Sequence, residues 1–219
     1  MKNIITSVLI VSGIALASGV QAASIDDFNG GWQEVEAPGA NTVSYSDAIG
    51  GYRTIEIEKT SGSRSATADV LEAYKEFSHS ADSGTSARST ITWNNNGNGL
   101  GGVDLAEGRV FSVFSFDILS IDQGNVDLTF SVWDTMNAMA SYTLTGAGVG
   151  SQAVAFDNFM GIDFTSIDAI SLIIEGGQAS DIVLDNLRTV PTPATLILML
   201  VGFAGFFFGR KPQVSPFIA

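Results

Sequence analysis

Three stretches of this chain carry residues whose type and spacing could do chemistry. In Asn94-Asn95-Asn96-Gly97-Asn98-Gly99, side-chain oxygens stand at the alternate positions Asn94, Asn96 and Asn98, and Gly97 breaks the run. That order matches the first half of a calcium loop, in which alternate oxygens converge on a hard cation and a glycine permits the sharp turn. The stretch is short of charge, because its first ligand is a neutral asparagine and Leu105 occupies the place of the bidentate glutamate. A glycine-rich turn between two strands accounts for the same residues, since Asn and Gly both tolerate positive φ. Asp181 and Asp185 offer a second pair of oxygen ligands. Calcium is thus the one cofactor for which the sequence supplies candidate ligands.

The second stretch is scattered: Trp32, Trp93 and Trp133 could stack against sugar rings, because an aromatic face offers apolar area to the C–H face of a pyranose. Sandwich domains also bury tryptophans for packing alone. The third is His79, the only histidine, which any Ser-His-Asp triad in this chain would have to use. Its neighbours Ser78 and Ser80 read as solvated polar backbone, so no catalytic residue is assigned. Paired carboxylates for glycoside hydrolysis exist in principle among 23 acidic residues, but no spacing picks out a pair. The chain is read as not an enzyme.

Charge and cysteine content bound the rest. All 23 acidic residues and seven of the ten basic ones lie between positions 23 and 190, a net charge of −16 for that span. Such a surface repels nucleic acid, which is excluded as a partner, and favours solubility. Cysteine is absent, so there is neither a disulfide framework nor a thiolate zinc site.

The elements that must position these residues read as strands, because apolar residues recur with period two between turn residues. In 126–133, Val126, Leu128, Phe130 and Val132 face one way and Asp127, Thr129, Ser131 and Trp133 the other, which places Trp133 on the wet face. Ala140, Tyr142 and Leu144 alternate in a following strand, predicting a hairpin across 134–139. Strands are also predicted over 52–59, 89–93, 110–121, 169–174 and 182–189. Residues 67–77 fit helix and strand patterns about equally, and strand is preferred. Many short strands, 24 glycines and no βαβ rhythm predict an all-β fold, a jelly-roll-like β-sandwich spanning 23–189.

Both ends of the chain differ from this middle. Residues 1–22 carry one cation, Lys2, an apolar run over 4–17 and a small-x-small close at Val20-Gln21-Ala22, the pattern of a signal peptide cleaved between Ala22 and Ala23. Its partners would be the Sec translocon and signal peptidase. Residues 194–209 are apolar apart from Thr195 and are followed by Arg210-Lys211, predicting a single transmembrane helix with a cytoplasmic tail over 212–219 and everything before Pro191 outside.

The order Val190-Pro191-Thr192-Pro193, apolar helix, Arg210-Lys211 resembles the PEP-CTERM sorting signal of Gram-negative bacteria, here residues 190–211. Thr192 stands where that family most often has glutamate, and eight residues trail the basic pair. The resemblance implies processing by an exosortase, a transient stay in the inner membrane, and a final place at the cell surface or in the extracellular matrix. An uncut C-terminal anchor is the plainer alternative. Inside the domain, Ile25-Asp26-Asp27-Phe28, the Trp93 strand with its Asn/Gly loop, Gly102-Val103-Asp104-Leu105 and Asp181 to Leu187 resemble exported jelly-roll domains of galactose-binding-like shape that often precede such tails. The expected function is therefore a non-catalytic surface or matrix protein, with a carbohydrate-binding, lectin-like module that meets extracellular polysaccharide as the alternative.

Overall fold

The computed structural model describes residues 23–45, 47–71, 73–108, 110–123 and 126–191. The expected signal peptide, and the expected sorting tail from Thr192 through Pro193, Arg210 and Lys211 onward, lie outside these. Thirteen strands occur among the described residues: β1 Ala23–Asp26, β2 Gln33–Glu36, β3 Gly39–Ser44, β4 Tyr52–Ser61, β5 Ala66–Leu71, β6 Glu76–Ala81, β7 Ser86–Trp93, β8 Phe111–Asp122, β9 Val126–Asp134, β10 Met139–Leu144, β11 Gly150–Ala155, β12 Ile167–Gly176 and β13 Asp181–Pro191. Two single-turn 3-10 helices, Ile49–Gly51 and Phe156–Asn158, complete the set. No helix among the described residues is long and apolar enough to cross a membrane.

The strands form two antiparallel sheets packed face to face. One has the order β11-β8-β13-β6-β5-β2, with β1 continuing the β6 side of β13, and the other the order β10-β9-β12-β7-β4-β3. The chain passes repeatedly from one sheet to the other, in the manner of a jelly roll. Inward positions hold one continuous core, because period-two alternation places every second side chain of each strand on the same face. Ile55, Ile91, Leu172 and Phe130 lie in one register row across the six-stranded sheet and are fully buried. Opposite them, Phe114 anchors an aromatic cluster with Phe130, Phe156, Phe159 and Phe164.

The expected strands over 52–59, 89–93, 110–121, 126–133, 140–144, 169–174 and 182–189 are all present, most with one to three more residues at an end. The ambiguous segment 67–77 is a hairpin: β5 and β6 pair in register, and the Tyr74 and Lys75 N–H groups donate to the Leu71 carbonyl at 3.0 and 2.9 Å to close the turn. His79 is buried, although its flanks Ser78 and Ser80 read as solvated polar backbone. It lies on the inward face of β6 with no exposed surface, and its Nδ1 is 2.7 Å from the Ser89 hydroxyl on the other sheet. Ser78 and Ser80 take the outward positions, which is why a buried strand looked polar.

A buried polar network ties the first residues of the domain to the second sheet. Both Asp26 carboxylate oxygens accept from Arg53 Nη1 at 2.9 and 3.0 Å, Trp93 Nε1 donates to Asp26 Oδ2 at 2.8 Å, and the Phe28 N–H donates to Oδ1 at 2.9 Å. Arg53 Nε donates to Gln33 Oε1 at 2.6 Å, and its Nη2 donates to the Gly30 and Gly31 carbonyls at 2.9 and 2.6 Å. Asp26, Arg53, Gln33 and Trp93 are all without exposed surface. A buried charge pair is tolerated when its remaining hydrogen-bonding capacity is filled, and here it is. At Gly31 φ is +67°, and an added Cβ would sit 2.9 Å from Tyr45 Cβ, so only glycine lets the loop press against that ring.

Candidate functional site

The candidate residues of the wet face and of the Asn/Gly loop meet at one end of the six-stranded sheet. Trp133 on β9 is opposite Ala169 on β12, and the next residue of β12, Ile170, is opposite Trp93, the last residue of β7. The row therefore runs from Trp133 across Ala169 to the start of the loop at Asn94. Ala169 has a small side chain, so the middle of the row is low while its two ends stand higher. The result is a cleft of about 250 Å³ lined by Trp133, Asn94, Gly97, Asn137 and Asp168, among others. Trp133 is half-buried, at an outward position of β9.

The cleft is rigidly built. Asp134 fixes the hairpin beside Trp133: its Oδ1 accepts the Met136 and Ala138 N–H groups at 2.9 and 3.0 Å, and its Oδ2 accepts the Asp163 N–H at 3.3 Å. The Asn/Gly loop folds on itself, with the Gly97 N–H donating to Asn94 Oδ1 at 3.0 Å, the Gly99 N–H to the Asn94 carbonyl at 2.9 Å and Asn98 Nδ2 to the Asn95 carbonyl at 3.0 Å. Asn95 and Asn96 both adopt positive φ, the conformation that asparagine accepts more readily than most residues. Asp168 then ties the loop to β12: its carbonyl accepts the Leu100 N–H at 2.7 Å and its carboxylate accepts the Gly101 N–H at 3.2 Å. Gly99 has φ +79°, and a Cβ there would collide with the Asp168 carboxylate.

Among the described residues no group of three or more His, Asp or Glu side chains converges as a metal site. A cation in the loop would have to be held mainly by asparagine and backbone oxygens, with Asp134 and Asp168, both already accepting backbone N–H groups, as the charges lining the cleft. Of the second candidate pair, Asp181 Oδ1 accepts the Ala81 N–H at 3.3 Å and Asp185 accepts both the backbone and side-chain N–H groups of Asn186 at 2.7 and 2.9 Å.

The three tryptophans do not form one platform. Trp93 points inward and spends its N–H on Asp26. Trp32 is 58% exposed and immediately precedes β2, the edge strand of the other sheet. Val190 and Pro191, the first residues of the expected sorting motif, are part of β13, opposite Val113 and Phe111. Ala23, just after the expected cleavage site, opens β1 opposite Thr189.

Sequence reasoning missed a second polar surface, on the outer face of the seven-stranded sheet. Glu34, Asp69, Ser78 and Val183 share one row there, and beside it lies a pocket of about 220 Å³ lined by Asp69, Leu71, Tyr74, Glu76, Ser78 and Val183. Burial, reinforced by the charges of Glu34 and Glu76, pushes the Asp69 carboxyl up to about 6. Burial, with the charge of Asp185 added, also raises Glu76. The alternation of Asp69 with Ala68 and Val70 was the available sequence signal, but it did not say which carboxylates would become neighbours.

No protein-family model matches the sequence, and neither does any curated protein sequence. Among solved structures, the chain is similar to a family 11 carbohydrate-binding module of a cellulosomal cellulase of Clostridium thermocellum, at 16% identity and a TM-score of 0.41 over 80% of this chain and 97% of that one. It is also similar to the xyloglucanase domain of NopAA, a type three effector from Sinorhizobium fredii, at 10% identity and 0.42 over 73% and 99%. An agarase aligns at 14% identity and 0.41 over 63% of this chain and 22% of its own. At these identities and scores the likeness transfers no residue role.

Proposed function

We propose that this chain is an exported, non-catalytic carbohydrate-binding protein whose sugar site is the cleft beneath Trp133. The observation that carries the reading is the cleft itself: a half-buried indole on an interior strand that shares the cleft with Asn94, Asn137 and Asp168 over the low floor at Ala169. An aromatic face beside a few fixed amide and carboxylate groups is what a sugar ring requires, because its C–H face stacks while its hydroxyls are taken by the polar rim. The groups need little reorganisation on binding, since the loop and hairpin that hold them are already tied by Asp168 and Asp134. The signal peptide and PEP-CTERM-like tail supply the delivery: export, sorting by an exosortase, and arrival where extracellular polysaccharide is the abundant partner.

Affinity electrophoresis through gels containing a panel of neutral polysaccharides tests the reading. At least one polymer retards the protein, and Trp133→Ala weakens that retardation at least tenfold, about 1.4 kcal/mol. Indifference of a retarding polymer to Trp133→Ala, or no retardation by any polymer in the panel, refutes it.

A further inference from the structure

The outer face of the seven-stranded sheet carries a groove that the Trp133 cleft does not use. Trp32 and Tyr74 are 58% and 67% exposed, unusual for such large rings, and with Leu71 and Ala73 they line an open space of about 570 Å³. The groove adjoins the pocket holding Asp69 and Glu76, since Leu71 and Tyr74 line both. The backbone that carries both rings is tied down. Trp32 directly follows Gly30 and Gly31, whose carbonyls are clamped by the buried Arg53, and Tyr74 stands on the turn closed at the Leu71 carbonyl.

We propose that this groove is a second binding site, which takes an amine-bearing polysaccharide, a polymer of glucosamine, with Trp32 and Tyr74 against the sugar rings and Glu34, Asp69 and Glu76 against the ammonium groups. Charge complementarity selects this occupant. Asp69 is opposite Glu34 across the β2–β5 ladder, Glu76 follows on β6, and Asp185 adds a fourth carboxylate beyond it. Lys75, exposed on the turn, is the one cation in segment 66–81. The Asp69 carboxyl is half-buried and crowded by the charges of Glu34 and Glu76. An arriving ammonium relieves the mutual repulsion of these acids, and the two aromatic faces attract both a cation and the C–H face of the ring that bears it. A neutral glycan would satisfy the rings and leave the acids uncompensated. Two exposed aromatic side chains lining one groove suit sugar rings better than the flexible side chains of a basic peptide.

The inference does not rest on the Trp133 cleft, which faces outward from the opposite sheet. The test is titration calorimetry of the purified full-length chain with glucosamine hexamer, N-acetylglucosamine hexamer and lysine hexapeptide. The glucosamine hexamer binds, the acetylated one binds at least tenfold more weakly, and the peptide binds more weakly than the glucosamine hexamer. Trp32→Ala and Asp69→Asn each weaken glucosamine binding at least tenfold, Asp69→Glu restores most of it, and Trp133→Ala changes it less than twofold. Trp32 and Asp69 both sit outside the core, so an unchanged thermal transition confirms that each variant is folded. Equal binding of the two sugars, no binding of the glucosamine hexamer, equal or tighter binding of the peptide, or dependence on Trp133 instead of Trp32 overturns the proposal.

Discussion

Asp26→Asn replaces one oxygen of a buried carboxylate with an amide of the same shape and removes its charge. In the native domain that carboxylate accepts from Arg53 Nη1, Trp93 Nε1 and the Phe28 N–H, and it is the counter-ion of an arginine with no exposed surface. The variant keeps one acceptor oxygen and turns an NH₂ toward a cluster of donors. Arg53 retains its bonds to Gln33, Gly30 and Gly31, all uncharged partners, so its charge is left uncompensated. Breaking a buried pair from one side costs roughly 3–5 kcal/mol. With a urea m-value of about 2 kcal/mol/M, the unfolding midpoint should fall by roughly 1.5–2.5 M. Removing both charges in Asp26→Leu/Arg53→Met costs less than the single change, because no orphaned ion remains. Urea unfolding followed by far-ultraviolet circular dichroism measures both. A loss below about 1 kcal/mol for Asp26→Asn, or a double variant less stable than the single one, would refute the account of this network.

Two further outcomes follow from the same structure. Burial lowers His79 from its ordinary 6.5 to about 4, against a smaller opposing pull from Asp181, so the unfolded chain takes up a proton that the folded one refuses. Its contribution to stability is intact above pH 6.5 and falls as the pH drops toward 4, by about 3 kcal/mol in total. Asp69 acts oppositely, its raised value favouring the folded state as it protonates below about 6, so the difference between wild type and His79→Gln isolates the histidine; the variant's stability should fall less steeply across that window, and parallel pH profiles would contradict the assignment. For the tail, intact-mass measurement of the protein recovered from its native host should find a C-terminus near Pro191 if an exosortase acts, whereas a chain ending at Ala219 identifies an uncut anchor.

Much of the fold could be read from alternation alone, because strands such as 126–133 face the core on one side and water on the other. The pattern failed where that contrast was muted. In β5 the inward residues Ala66, Ala68 and Val70 are small, and the turn before β6 let the same letters fit a helix. In β6 a histidine occupies an inward position between two outward serines, so the middle of a buried strand reads as polar until Ser89 is seen across the core. Trp133 and the Asn94 loop were each visible as candidates. Their meeting was not, since it depends on β12 lying between β7 and β9 and on a residue as small as Ala169 filling the gap. The Trp32 groove was further from view: its geometry is set by Arg53, more than twenty positions away, and a carboxylate row assembled from β2, β5 and β6 has no local signature.

β13 has a mechanical consequence. It is an interior strand, bonded to β8 along nearly its full length on one side and to β6 and then β1 on the other, and it ends at Pro191, where the chain continues into the tail. Tension applied through that tail runs along the strand, across ladders whose hydrogen bonds lie perpendicular to it. The bonds are then loaded in shear and must fail together, instead of opening one by one as in a peeled hairpin. Because Ala23 is paired with Thr189, the first strand of the domain shares that load. Were the chain held at a surface by its C-terminus, as proposed, the drag would thus enter through a strand that is paired on both sides.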